Sequence, residues 1–115
     1  LVLNLVEPQS SGVGGGAFFV HWDEARREVV TLDGRETAPA AAKSTRFMGA
    51  DGKPIAFRQA VVGGLSVGVP GTVRLLEEAH RRWGKLAWRD VIAPAIALAE
   101  QGFAISPRLN GLLSG

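Results

Sequence analysis

Ala17-Phe18-Phe19-Val20-His21-Trp22-Asp23-Glu24-Ala25-Arg26-Arg27-Glu28-Val29-Val30-Thr31-Leu32-Asp33 places two runs of aromatic and β-branched residues around a polar break. Side chains of this kind favour pleated backbone. Two such runs so close together predict an antiparallel hairpin, although residues 24–27 lack the Asn-Gly or Gly-X pair of a tight turn. Aromatics fall on both faces of the first run, which predicts a strand covered on both sides.

Upstream of the hairpin lies Glu7-Pro8-Gln9-Ser10-Ser11-Gly12-Val13-Gly14-Gly15-Gly16. Its glycines let backbone lie against backbone with no Cβ between. Residues 1–6 are a short apolar run that reads as the tail of a helix ended by Pro8. Downstream, residues 38–53 are irregular and surface-running, with Asp51-Gly52-Lys53-Pro54 a turn signal. Residues 60–69 are small, apolar and broken by glycine, which predicts a buried strand or extended segment.

Pro70-Gly71-Thr72 opens the clearest helix, which ends near Gly84 and repeats apolar side chains at Val73, Leu76, Ala79 and Trp83. Glu77/Arg81 and Glu78/Arg82 are i,i+4 pairs in the favourable order, and both arginines suit the negative end of the helix dipole. A second helical stretch from Ala87 to Gln101 should be interrupted or kinked at Pro94. Its two apolar columns (Val91, Ala95, Leu98 and Ile92, Ile96, Ala99) predict a helix lying against a sheet. Gly102 closes it, and Ser106-Pro107 reads as the cap and first-turn proline of one more helix. Helix, hairpin, extended segment, helix, helix is an α+β order, unlike a regular βαβ succession.

The bulk properties narrow the function classes. The chain has 115 residues, 46% apolar and 21% charged, which fits one globular domain and excludes disorder. Net charge is only +2, and the arginines do not alternate with aromatics, so no nucleic-acid footprint is visible. The absence of cysteine excludes disulfides, zinc ribbons and thiol catalysis. No apolar run approaches the ~20 residues of a membrane span. The sequence begins in mid-pattern without a methionine and stops just after a helix start. Residues 1–115 are therefore expected to be one partial domain, truncated at both ends.

Several motifs compete for a chemical role. Gly12-Val13-Gly14-Gly15-Gly16-Ala17 satisfies G-x-G-x-x-[GA] in form, but a dinucleotide site needs those glycines to open a helix, and here an aromatic strand follows. Gly64-Leu65-Ser66-Val67-Gly68 matches the nucleophile elbow G-x-S-x-G. Its helix should start directly after the serine, yet Val67 to Pro70 intervene, and the only downstream histidine, His80, is too close in sequence. His21 with Asp23 and Glu24 supplies only two ligands on one strand face, so no metal site is expected. Arg35, in Asp33-Gly34-Arg35-Glu36-Thr37-Ala38-Pro39, stands at a strand end where its fork could meet a small carboxylate. Glu36 could steady that fork or meet a substrate ammonium. A solvated Arg-Glu pair at a strand end is the competing reading.

Four stretches together resemble the large-subunit region of the γ-glutamyltransferase family. They are Glu7 to Gly16, Asp33 to Pro39, Gly64-Leu65-Ser66-Val67-Gly68-Val69-Pro70-Gly71-Thr72-Val73, and Ala93-Pro94-Ala95-Ile96-Ala97-Leu98-Ala99-Glu100-Gln101-Gly102-Phe103. The resemblance covers essentially the whole chain. It implies an N-terminal-nucleophile hydrolase fold, an αββα sandwich built from two autoproteolytically separated subunits. It also implies that a threonine freed at the small subunit's N-terminus attacks the γ-glutamyl amide of glutathione or a related donor. The γ-glutamyl group then passes to an amino acid, a dipeptide or water. The family's carboxylate-binding arginine maps onto Arg35, with Glu36 beside it in support.

The nucleophile's Thr-Thr-His context occurs nowhere here, and Thr31, Thr37, Thr45 and Thr72 have other neighbours. The resemblance therefore places no catalytic residue in this chain and calls for no cofactor. It implies a partner, a small subunit or downstream segment carrying the threonine, and a periplasmic or secreted location. The alternatives are an acylase acting on glutaryl amides or poly-γ-glutamate, a serine esterase using Ser66, and a non-catalytic fragment.

Overall fold

The alternation of branched and aromatic side chains produces the expected hairpin. Strand β1 (Ala17–Asp23) pairs antiparallel with β2 (Glu28–Gly34), setting Phe19 opposite Leu32 and His21 opposite Val30. The turn manages without glycine. Asp23 Oδ1 accepts a bond from the Arg26 N–H at 3.1 Å, and Arg27 takes the left-handed conformation with φ 54°. That conformation costs an ordinary side chain about 1–2 kcal/mol, so this turn carried no simple sequence signal.

The computed structural model describes residues 1–114, which fall in two compact units. The first comprises Leu1–Arg35 with the chain from Pro70 onward, and the second is Glu36–Val69.

In the first unit, helix α1 (Val2–Val6) precedes the hairpin, and the helix at Thr72–Trp83 packs against both strands. Its stripe is Leu75, Ala79 and Trp83, at i,i+4 spacing, with Leu75 and Ala79 buried. Val73, expected on that stripe, is half exposed, and Leu75 takes its place. Trp83 stacks on Phe19 at 5.5 Å between ring centroids and lies 4.3 Å from His21. The inner face of β1 is thus filled. On its outer face Phe18 and Val20 are each 69% exposed and Trp22 is 50% exposed. The expectation of cover on both sides is met here on one side only.

Close backbone approach locks this helix in place. A Cβ on Gly34 would sit 2.6 Å from Leu75 Cβ, and one on Gly71 would sit 2.2 Å from the Gly34 carbonyl oxygen. The Gly15 carbonyl accepts the N–H groups of Gly71 and Thr72 at 3.0 and 3.1 Å. The glycine loop therefore satisfies donors that a helix N-terminus otherwise leaves without an intrahelical partner.

The charged face differs in part from expectation. Glu78 pairs with Arg82 at 2.6 Å as the spacing predicts, and also with Arg81 at 2.8 Å. Glu77 turns instead to Arg74 at 2.7 Å. The two guanidiniums hydrogen-bonded to Glu78, Arg81 and then Arg82, lower its pKa from 4.5 to about 2. A carboxylate depressed on folding contributes stability above its unfolded pKa, and that contribution fades as pH falls through the folded value. Glu78→Gln should thus lower the thermal midpoint above pH 4.5, with the gap from wild type closing between pH 4.5 and about 2. High salt should shrink the gap, because the pair is at the surface.

The next two helices complete this unit. The helix Trp88–Gln101 runs unbroken through Pro94, correcting the expected interruption. Proline has no N–H to donate to the Asp90 carbonyl, a loss this helix tolerates. It packs on α1 rather than on the hairpin, whose inner face is already occupied. Gly102 ends it with φ 79°. Ser106 then caps Pro107–Leu113, its hydroxyl accepting the Leu109 N–H at 3.1 Å and donating to Glu7 Oε1 at 3.1 Å.

The second unit is mostly turns. Asp51 Oδ1 accepts the Lys53 N–H at 3.1 Å and Gly52 has φ 72°, as the turn signal predicts. Residues 60–69, expected as a buried strand or extended segment, are extended only in part, around Val62 and from Val67 to Val69, and are not buried. A short helix, Phe57–Val61, is followed by a 3-10 turn, Gly64–Ser66, and Val61, Val62, Leu65, Val67 and Val69 are all exposed. Short apolar runs do not distinguish strand from helix. Gly63, at φ 102°, divides this one. Beyond the turn, Val69 and Thr37 form an isolated antiparallel bridge.

Candidate functional site

Arg35 is the first residue after β2, and its position follows from local chemistry. Asp33 Oδ1 accepts the Arg35 N–H at 2.9 Å, which sets the direction in which the chain leaves the strand. The guanidinium Nη1 donates to the Gly16 carbonyl at 3.4 Å, and its central carbon lies 5.9 Å from the centroid of the Phe18 ring. A cation over an aromatic face is worth about 0.5–1 kcal/mol at an exposed site. The residue is exposed. Two hollows in the first unit, one apolar near Leu76 and Trp88 and one polar near Arg26 and Arg82, do not include it.

Glu36 opens the second unit and is half-buried. A Cβ on Gly68 would sit 3.0 Å from Glu36 Cβ and 3.2 Å from the Thr37 carbonyl oxygen, so these backbones touch. Thr37 N–H donates to the Val69 carbonyl at 3.3 Å, and Val69 N–H returns the bond at 2.8 Å. The two residues singled out in Asp33-Gly34-Arg35-Glu36 are therefore each held by their own surroundings.

The competing motifs resolve into structural roles. Ser66 sits on a 3-10 turn instead of a strand-to-helix elbow, and its hydroxyl donates to the Val61 carbonyl at 3.2 Å. His80 Nε2 is 2.8 Å from the Leu86 carbonyl, and its ring meets Trp88 edge-on at 5.1 Å. Each group is thus engaged in a contact within its own unit. Ser66→Ala in the full-length protein is expected to leave kcat/KM within about threefold of wild type while costing about 0.5–1.5 kcal/mol of stability for the lost bond. Steady-state kinetics with a fluorophosphonate labelling control check this. The glycine run opens β1, as the strand reading required, and His21 belongs to the ring stack on Trp83. Among the described residues no group of three metal-binding side chains comes together.

Two participants were missed in the sequence. Phe18, a strand residue by its sequence, underlies the Arg35 guanidinium. Arg46 was not singled out, yet its Nε donates to the Leu65 carbonyl at 2.6 Å and its Nη2 to the Gly64 carbonyl at 3.4 Å. The alternation of β1 could have exposed the first. Nothing in spacing signals the second.

Comparison with known proteins now bears on this arrangement. The family described as Gamma-glutamyltranspeptidase matches residues 1–115. A glutathione hydrolase proenzyme of Bacillus subtilis strain 168 is 43% identical over 112 residues, covering 97% of this chain and 19% of that protein. Among solved structures, gamma-glutamyltranspeptidase of Helicobacter pylori superposes with a TM-score of 0.91 at 38% identity, over 98% of this chain and 32% of that one. The enzyme from Pseudomonas nitroreducens complexed with L-DON gives a TM-score of 0.89 at 35% identity, over 98% and 33%. The chain spans about a fifth of the length of the curated relatives it matches.

Proposed function

The chain belongs to the gamma-glutamyltranspeptidase family, and on that footing we propose that the protein containing it moves the γ-glutamyl group of glutathione-like donors to amino acids, dipeptides or water. Its mixed α+β content, an antiparallel hairpin with five helices among the described residues, is a portion of the N-terminal-nucleophile hydrolase fold of its neighbours. In this reading residues 1–115 are a partial large-subunit domain, and its share of the chemistry is recognition. Arg35 grips the donor's α-carboxylate through a charge-assisted fork, and Glu36 meets the adjacent ammonium or steadies that fork.

The reacting group comes from elsewhere. A threonine hydroxyl on a small subunit, released by autoproteolysis of a zymogen, attacks the γ-amide carbonyl. The amine leaves with a proton, and an ester to the threonine remains. An acceptor amine or water then attacks that ester and restores the hydroxyl. Fixing the carboxylate at a distance from the scissile bond converts donor binding into correct placement of that carbonyl. The protein is periplasmic or secreted in this account. The uncovered β1 face, with Phe18, Val20 and Trp22, fits a surface that another part of the assembly covers.

The observation that carries the proposal is Arg35 itself. It leaves β2 on an Asp33-braced turn, within the motif where the family's carboxylate-binding arginine falls. Comparing glutathione with a glutaryl amide, which lacks the α-amino group, tests the substrate class in the full-length enzyme. Strong preference for glutathione is expected. Equal or better use of the glutaryl amide would make the protein an acylase on the same scaffold.

A further inference from the structure

The Gly64-Leu65-Ser66-Val67-Gly68 motif lacks an elbow's geometry, yet its backbone is unusually well used. Two of its carbonyls, those of Gly64 and Leu65, accept the Arg46 guanidinium at 3.4 and 2.6 Å. Gly64's carbonyl also takes the Val67 N–H at 3.4 Å. Directly after Val67, Gly68 lies against Glu36 and Thr37, and Val69 exchanges two backbone bonds with Thr37. Arg46 is itself anchored. Its N–H donates to the Lys43 carbonyl at 3.0 Å, and the chain beyond it is pinned where Ile55 N–H meets the Phe47 carbonyl at 2.9 Å.

We propose that Arg46 is a positioning residue for Glu36: its guanidinium latches the 64–66 turn, and the strand-like run through Gly68 and Val69 transmits that hold to Glu36. The proposal rests on the reading of Glu36 as part of the donor site. Without the latch, the segment from Val62 to Val69 is held to distant chain only by the Val69–Thr37 backbone pair and carries exposed apolar side chains, which favours local opening of the 64–66 turn. Arginine suits the task because one planar fork can reach two neighbouring carbonyls, which an ammonium on a single point cannot do as well. The motif that resembles a nucleophile elbow is thus a seat for a binding carboxylate.

The test uses the full-length mature protein and γ-glutamyl-p-nitroanilide. Arg46→Ala is expected to raise KM about tenfold while kcat stays within about threefold, since binding and not chemistry is disturbed. Arg46→Lys should recover part of the loss. In a Glu36→Gln background, Arg46→Ala should add less than about twofold, because residues acting through one network are not additive. A purely structural arginine would lower yield and thermal midpoint while KM of the surviving enzyme stayed at the wild-type value, and that result overturns the latch. Should Arg46→Ala fail to accumulate, Arg46→Met, which keeps the side-chain bulk and removes every donor of the fork, takes its place. The same KM rise there supports the proposal, and an unmoved KM overturns it. A wild-type KM in Glu36→Gln overturns the donor-site reading of Glu36 and the latch with it. A raised KM in Glu36→Gln with a silent Arg46→Ala overturns the latch alone.

Discussion

Arg35→Ala in the full-length enzyme should lower kcat/KM for γ-glutamyl donors by roughly 30- to 5,000-fold, equivalent to about 2–5 kcal/mol of transition-state binding. Under the proposed role, the size follows from removing one partner of a charge pair in a site that donor and assembly would close. The other charge is then left without compensation. Arg35→Lys should restore only part, since an ammonium presents no bidentate fork to a carboxylate. The stability cost should be modest, since Arg35 is exposed and surface contacts such as the one with the Phe18 ring are worth about 0.5–1 kcal/mol each. A large kinetic loss with only a small shift of the unfolding midpoint would therefore identify a binding group. Equal losses of both would identify a scaffold residue.

Gly71→Ala should have the opposite signature, a loss of folding before any loss of chemistry. The added methyl would come within 2.2 Å of the Gly34 oxygen, 2.7 Å of its carbonyl carbon and 3.0 Å of the Arg35 oxygen. All three are backbone atoms, so no rotamer change relieves the clash. The Gly71 N–H is tied to the Gly15 carbonyl at 3.0 Å, which resists movement the other way. A cost of about 3 kcal/mol or more is expected, at the high end for overpacking, and whatever folds should carry a displaced Arg35. Gly12→Ala is the control, because nothing lies within 4 Å of its Cβ position. Urea midpoints of the three proteins decide the matter. A Gly71→Ala cost under about 1 kcal/mol would mean that the approach of helix to strand end is looser than described.

Much of the fold could be read from local rules, because it is governed by them. The hairpin follows from branched and aromatic runs, the helix ends from Gly84, Gly102 and Ser106-Pro107, and the turn at Asp51-Gly52 from its side chain. The misreadings arose where tertiary partners decide. Leu75 rather than Val73 faces the hairpin because the helix is rotated by its contact with Gly34. Residues 60–69 have an apolar composition compatible with strand or helix, and the left-handed Gly63 separates a short helix from a 3-10 turn before the chain extends to Val69. Of the interruption or kink expected at Pro94, the interruption does not occur, because the helix tolerates the loss of a single bond.

The candidate site was legible in a different way. Arg35 stood out through its residue type, its place after a strand and the family likeness of its motif. The contacts that orient it did not. Phe18 and Gly16 meet its side chain across nearly twenty residues of sequence; the alternation of β1 tells which face Phe18 takes but not that Arg35 lies over it.

The most direct measurement compares two donors on wild-type and Arg35→Ala enzyme: γ-glutamyl-p-nitroanilide and 4-aminobutanoyl-p-nitroanilide, which keeps the amine but has no α-carboxylate. The account predicts that Arg35→Ala lowers kcat/KM for the first by at least about 30-fold. For the second, the two enzymes should differ by less than about threefold. Equal losses on both donors, or no loss on either, would contradict a carboxylate-binding Arg35.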